Sequence, residues 1–135
     1  MTGVSDASAS TGFDALYGLE VLELTPDLGR AQLRVQDKHR QPFGLVHGGI
    51  YVAMAASLAC QCTRAVVVSQ GKTAAALANR TSFLRPVTAG TIHARAVRRH
   101  AGRTTWVWEV ELTDDQGRLC VLTRMTVGIR DLPMS

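Results

Sequence analysis

The segment Gln41-Pro42-Phe43-Gly44-Leu45-Val46-His47-Gly48-Gly49 stands directly before the longest apolar run of the chain, and its residue types suit one kind of chemistry. Two glycines at a helix entrance let another group approach the backbone closely. The first N–H groups of a helix lack internal partners, and the helix dipole adds a partial positive charge at the same end. Together they make a seat for a carbonyl oxygen that becomes negative when a nucleophile adds to its carbon. His47, immediately before the seat, is placed to donate to or orient the same group. Taken singly these residues have plainer uses: Gly-Gly is common before helices, and a histidine there can cap or pack.

A helix must carry such a seat, and the sequence supplies one. Gly48 to Cys62 is rich in alanine, has no proline and no glycine after Gly49, and is apolar nearly all round. It predicts a long helix wrapped on most sides by other elements, ending between Val68 and Gly71 with Gly71 as the stop signal. Upstream, Phe13 to Tyr17 suits a short helical turn. Leu19 to Leu24 and the strictly alternating Ala31 to Gln36 suit two strands of a hairpin around Thr25-Pro26-Asp27. Asp37 to Leu45 reads as a loop. Downstream, strands are predicted over Ala74 to Pro86, Thr91 to His100, Thr104 to Thr113 and Leu119 to Ile129. Turns fall at Ala101-Gly102-Arg103 and Asp114-Asp115-Gln116-Gly117. The fold class is therefore α+β, a long central helix wrapped by a curved antiparallel β-sheet. Residues 1–11 read as a flexible tail, 12–131 as a single domain and 132–135 as a short C-terminal tail.

The bulk properties narrow the function. At 135 residues the chain suits one domain, and 46% hydrophobic content with 19% charged residues excludes a disordered polymer. The net charge of +4 fits either a solvated arginine-rich face or a polyanionic partner. The basic residues are dispersed and no aromatic-plus-basic stacking motif is present, which favours a small phosphorylated ligand over nucleic acid. Cys60, Cys62 and Cys120 match no zinc spacing, so no metal is expected, and they read as reduced thiols of a cytoplasmic protein. The start of the chain lacks the order of a secretory signal. The apolar stretch Ile50 to Ala59, followed closely by Gln61 and Arg64, is short for a membrane span.

Taken together, Gln41 to Gly49 resembles the signature of hotdog-fold acyl-CoA thioesterases of the phenylacetate-pathway and Arthrobacter-type 4-hydroxybenzoyl-CoA group. Enterobactin proofreading and 1,4-dihydroxy-2-naphthoyl-CoA thioesterases share the pattern. The likeness continues in Thr81-Ser82-Phe83-Leu84-Arg85-Pro86-Val87, in His100-Ala101-Gly102-Arg103-Thr104-Thr105-Trp106 and in Asp114 to Cys120, in matching order. The resemblance implies a hotdog fold, with chains pairing through their sheets, active sites at the subunit boundary and dimers assembling into a homotetramer. It further implies that the Gly48 N–H polarises the thioester carbonyl, that His47 assists and that Gln41 lies near the carbonyl. Arg85, Arg103 and Thr104 fall where the related enzyme meets the nucleotide end of coenzyme A, with Arg103 in place of a serine. Lys72, Arg80 and Arg130 are further cationic candidates for the phosphates, and Tyr51 suits either the acyl pocket or the core. Coenzyme A is then part of the substrate, and no separate cofactor is expected.

One position breaks the pattern. The resemblance implies a Glu or Asp nine residues after His47, acting as nucleophile or general base, and Ala56 stands there. Gly48 to Arg64 contains no acidic residue, so a neighbouring turn of the helix offers no substitute. Cys60 lies one turn after Ala56 on the same face, but its rescue of the chemistry needs a lowered thiol pKa or an adjacent base. Ser57 is expected to bond back to its own helix. Either the catalytic acid of an otherwise intact thioesterase has been replaced, or the chain uses positioned water or only binds acyl-CoA. The first reading is an aromatic acyl-CoA hydrolase impaired at position 56. The second is a non-catalytic acyl-CoA or acyl-carrier binder. A third, dehydratase or hydratase chemistry, usually needs an acid–histidine pair, and none is seen.

Overall fold

A computed structural model describes residues 12–133. The tail expected over 1–11 and the last two residues of the one expected over 132–135 lie outside the described residues. A short helix α1 (Gly12–Tyr17) leads into the hairpin β1 (Glu20–Leu24) and β2 (Leu28–Arg34). The long helix α2 (Gly48–Val67) follows, then β3 (Lys72–Phe83), β4 (Thr91–Ala101), β5 (Thr105–Thr113) and β6 (Leu119–Asp131). All six strands form one antiparallel sheet in the order β1-β2-β4-β5-β6-β3. The helix-on-sheet hotdog arrangement expected from the element order is the one observed.

The period of the sequence explains the packing. In β5, Trp106, Trp108, Val110 and Leu112 are buried, while the residues between them are not. They face Met54, Leu58 and Cys62 of α2 across one continuous core. Trp108 Nε1 donates to Thr63 Oγ1 at 3.0 Å, and that hydroxyl donates to the Ala59 carbonyl at 2.8 Å, so the buried Thr63 hydroxyl is satisfied on both sides. Gly71, at φ 74°, ends the short 3-10 turn after α2, as its stop-signal role requires.

Three details depart from the sequence reading. First, β2 begins at Leu28 and ends at Arg34, earlier than the alternation suggested. Gly29, between the predicted turn and the predicted strand, lies inside β2 where α2 crosses closely: a Cβ at Gly29 would overlap Cys62 Sγ and lie 3.1 Å from Leu58 Cδ1. Gly29→Ala is therefore expected to destabilise the fold by about 1–3 kcal/mol through overpacking. Cys62→Ala in the same chain should recover part of the loss in denaturant unfolding. Second, the cover over α2 is uneven: Met54, Ala55, Leu58, Ala59 and Cys62 are buried, while Ile50, Val52, Ala53, Ala56 and Ser57 stay half-buried along one flank. Third, the apolar helix is longer than the stretch read from Ile50 to Ala59. With the turn that follows, Gly48–Gln70 reaches membrane-spanning length, yet it forms the core of the domain.

Candidate active site

The loop before α2 is held in place by backbone bonds. Val46 N–H donates to the Val87 carbonyl, His47 N–H to the His39 carbonyl, and Gln41 N–H to the Leu45 carbonyl at 2.7 Å. His39 is itself buried, with Nδ1 accepting from Gln36 N–H and Nε2 2.7 Å from the Tyr17 carbonyl. Gly44 closes the turn at φ 90°, a conformation that strains residues with a Cβ. These contacts fix where α2 starts.

At that start the first N–H groups divide unequally. Gly49 N–H donates to His47 Nδ1 at 2.9 Å, so His47 is the N-cap of the helix. Ile50 N–H donates to the His47 carbonyl. Gly48 N–H has no protein acceptor among the described residues, and Gly48 lines a cavity of about 470 Å³. The orphan donor, backed by a 20-residue helix and its dipole, belongs to a residue in the wall of an accessible space. Because Nδ1 of His47 accepts, a neutral ring carries its proton on Nε2. His47 is thus a donor and helix cap, and its ring is not free to act as a base.

The rest of the cavity wall is mostly apolar. Leu45, Val46, Tyr51, Phe83, Leu84 and Val121 surround it, with Gln41 and Arg85 as the polar members. Phe83 lies against Gly48, where a Cβ would come within 3.1 Å of its ring, and meets Tyr51 edge-on at 6.1 Å between centroids. Tyr51 combines both roles considered for it, being buried in the core and exposed to the cavity along one edge. Burial pushes its phenol up to about 12, so the hydroxyl stays protonated.

The structure therefore brings Gln41, Gly48 and Arg85 to one cavity, while His47, the exposed residue before Gly48, is not part of its wall. It does not bring the other candidates there. Ala56 and Cys60 lie further along α2; eight residues of helix separate Ala56 from Gly48 by about 12 Å along the axis. Arg103 and Thr104 sit exposed in the β4–β5 turn, outside the cavity wall of the same protomer. Lys72 is paired with Asp131 at 2.6 Å, and Arg80 and Arg130 lie exposed on β3 and β6. Burial raises the Cys60 thiol above its ordinary value, only partly offset by Arg64, so it is not poised as a nucleophile.

Ser57 differs from expectation. Its hydroxyl does not return to its own helix but donates to Asp14 Oδ1 of α1 at 2.7 Å. A carboxylate thus stands against the middle of α2 after all, supplied by another element. Sequence reasoning missed Asp14 because 43 positions separate the two residues and neither belongs to a recognisable motif.

Residues 43–121 match the thioesterase superfamily. An esterase-like protein of Mycobacterium tuberculosis is 38% identical, over 89% of this chain and 86% of its own length. A 1,4-dihydroxy-2-naphthoyl-CoA hydrolase of Listeria monocytogenes is 29% identical, over 88% of this chain and 96% of its own. Among solved structures, a mutant thioesterase of Pseudomonas aeruginosa superposes with a TM-score of 0.88 at 29% identity, covering 94% of this chain and 91% of that one.

Proposed function

Since the chain belongs to the thioesterase superfamily, we propose that it binds an aromatic acyl-CoA, of the 4-hydroxybenzoyl-CoA kind, and is built to hydrolyse it to the free acid and coenzyme A. The observation that carries this reading is the unclaimed Gly48 N–H, which opens onto an apolar cavity with Gln41 and Arg85 at its wall. A thioester carbonyl seated on that donor gains charge as water adds, and a fixed amide dipole stabilises the oxyanion without reorganising. His47 Nε2–H supplies a second donor beside it. Tyr51 and Phe83 give the acyl group a ring-lined space, and the naphthoyl substrate named for the Listeria relative is of the same aromatic class. Arg85 is the in-chain candidate for a coenzyme A phosphate, with Arg103 and Thr104 reaching the nucleotide from a neighbouring protomer. No further cofactor takes part.

The proposal requires a homodimer. Position 56 is too far along α2 to serve a carbonyl on Gly48 of the same protomer, so the attacking group comes from the partner's helix. β3 suits the pairing: it is a 12-residue edge strand, and Ala75 to Arg80 are exposed along it. A long unprotected edge is a template for a second copy. Dimers then associate into tetramers, in the cytoplasm, where the three cysteines remain reduced. With Ala56 in place of the expected acid, hydrolysis is slow while binding is retained.

The test is a panel of benzoyl-CoA, hexanoyl-CoA and free coenzyme A, followed by binding calorimetry and thiol release. The expected order of affinity is benzoyl-CoA first and free coenzyme A last, with slow thiol release from benzoyl-CoA. Equal affinity for all three would remove the acyl pocket from the account. Tight acyl-CoA binding with no thiol release, here and in Ala56→Glu, would favour the non-catalytic binder.

A further inference from the structure

We infer that Asp14 is the proton acceptor that serves the middle of α2 in this chain, acting through Ser57. The inference rests on the proposed reaction and deepens it. Hydrolysis of a thioester needs a group that takes a proton from water, and the residues at the cavity do not supply one. Gln41 and Arg85 are not bases at neutral pH, His47 Nδ1 is occupied by Gly49 N–H, and Tyr51 and Cys60 are held protonated by burial. α2 itself has no carboxylate. Among the described residues, Asp14 is the acid that hydrogen-bonds side chains of α2.

The local geometry suits a relay. Asp14 Oδ1 accepts from Ser57 Oγ at 2.7 Å and Oδ2 from Gln61 Nε2 at 3.3 Å. Since the Ser57 hydroxyl points its proton at Asp14, its lone pairs remain free to accept one. Ser57 follows Ala56 directly and is half-buried, between the buried Gln61 side and the half-buried flank of α2. Two further polar atoms are buried at this cluster. Gln61 Oε1 has no hydrogen-bond partner among the described residues. Tyr17 Oη lies near Ser57 and Asp14 without completing a well-formed bond to either. Tyr17 is 5% exposed and Gln61 7%. Buried polar atoms are rarely left unpaired, and a site with several of them suits a small polar guest such as water.

The step balances as follows. The water oxygen forms a bond to the thioester carbon seated on the partner's Gly48 N–H. Its proton passes to Ser57 Oγ while the Ser57 proton passes to Asp14, and the carbonyl π pair moves onto oxygen. Collapse of the oxyanion breaks the C–S bond, and the departing thiolate takes the proton back through Ser57. The charged and titratable groups around Asp14 are few. Burial, and then the Asp14 charge, hold the Tyr17 phenol well above its ordinary range. Lys38 donates to the Leu16 carbonyl, and His39 meets the Tyr17 carbonyl. Arg64 lies two turns along α2 from Ser57.

The experiment compares the full chain with Asp14→Asn, Ser57→Ala, Ala56→Glu and the Ala56→Glu/Asp14→Asn double variant. Readouts are benzoyl-CoA hydrolysis across pH and binding of phenacyl-CoA, a ketone analogue that water does not cleave. Asp14→Asn is expected to cut residual hydrolysis roughly tenfold or more, remove the acid limb of the pH–rate profile and leave phenacyl-CoA affinity within about twofold. Ser57→Ala should do the same. In the Ala56→Glu background the Asp14→Asn penalty should shrink several-fold, since a carboxylate at 56 bypasses the relay. An unchanged rate and pH profile in Asp14→Asn, or an equal penalty in both backgrounds, would overturn the inference. So would a parent chain that binds phenacyl-CoA but shows no hydrolysis above buffer, an outcome that leaves the acyl-CoA reading standing. Failure to bind phenacyl-CoA at all would sink both.

Discussion

Ala56→Glu is expected to raise benzoyl-CoA hydrolysis by about a hundred- to ten-thousand-fold over the parent chain, the range that a well-placed general base contributes. The argument is geometric. Ala56 lies on the half-buried flank of α2, so a longer side chain has room to leave the helix surface. On the proposed reading the other parts are the Gly48 donor, the His47 cap, the ring-lined cavity and a long edge strand for pairing. The gain should appear in kcat, with little change in KM, because the carboxylate acts on the attacking water and not on the bound acyl group. The rate should climb with pH as the new carboxyl ionises, a group whose ordinary value is about 4.3. Steady-state thiol release between acid and neutral pH checks both the size of the gain and the presence of that limb.

How far the sequence alone reaches can be judged element by element. α2 was legible because alanine-rich apolar sequence bounded by Gly48-Gly49 and Gly71 has few other solutions, and β5 because Trp106, Trp108 and Val110 alternate strictly. The start of α2, on which the candidate site is built, was legible for the same reason: a glycine-led helix start advertises free N–H groups. What the sequence could not give was which of those groups stays free. His47 Nδ1 claims Gly49 N–H and leaves Gly48 N–H unclaimed, an outcome set by the histidine rotamer. The extent of β2 was obscured because Gly29 serves close packing against Cys62 and not a turn. The half-buried flank of α2 was hidden because an all-apolar helix carries no polar stripe to mark which side its sheet leaves less covered. Asp14 was invisible because its partner, Ser57, lies on a different element and is read locally as a hydroxyl bonding to its own backbone. Long-range polar pairs of this kind leave no periodic trace in a sequence.

The second large effect is expected at Gly48, and it tests the account at its centre. Proline is favoured at the first position of a helix, and the residue before it must be extended. His47 is extended, with φ −63° and ψ 133°, so Gly48→Pro fits the backbone while deleting the N–H. A Cβ at this position presses on Phe83 at 3.1 Å, so Gly48→Ala must be measured beside it: both variants carry the Cβ, and only proline lacks the donor. In the Ala56→Glu background, where turnover is easily followed, the ratio of kcat for Gly48→Ala to kcat for Gly48→Pro is predicted to be about a hundred- to a thousand-fold, the usual effect of removing one oxyanion donor. Equal kcat values for the two variants, with both folded and both binding phenacyl-CoA, would contradict the claim that this amide holds the thioester oxygen.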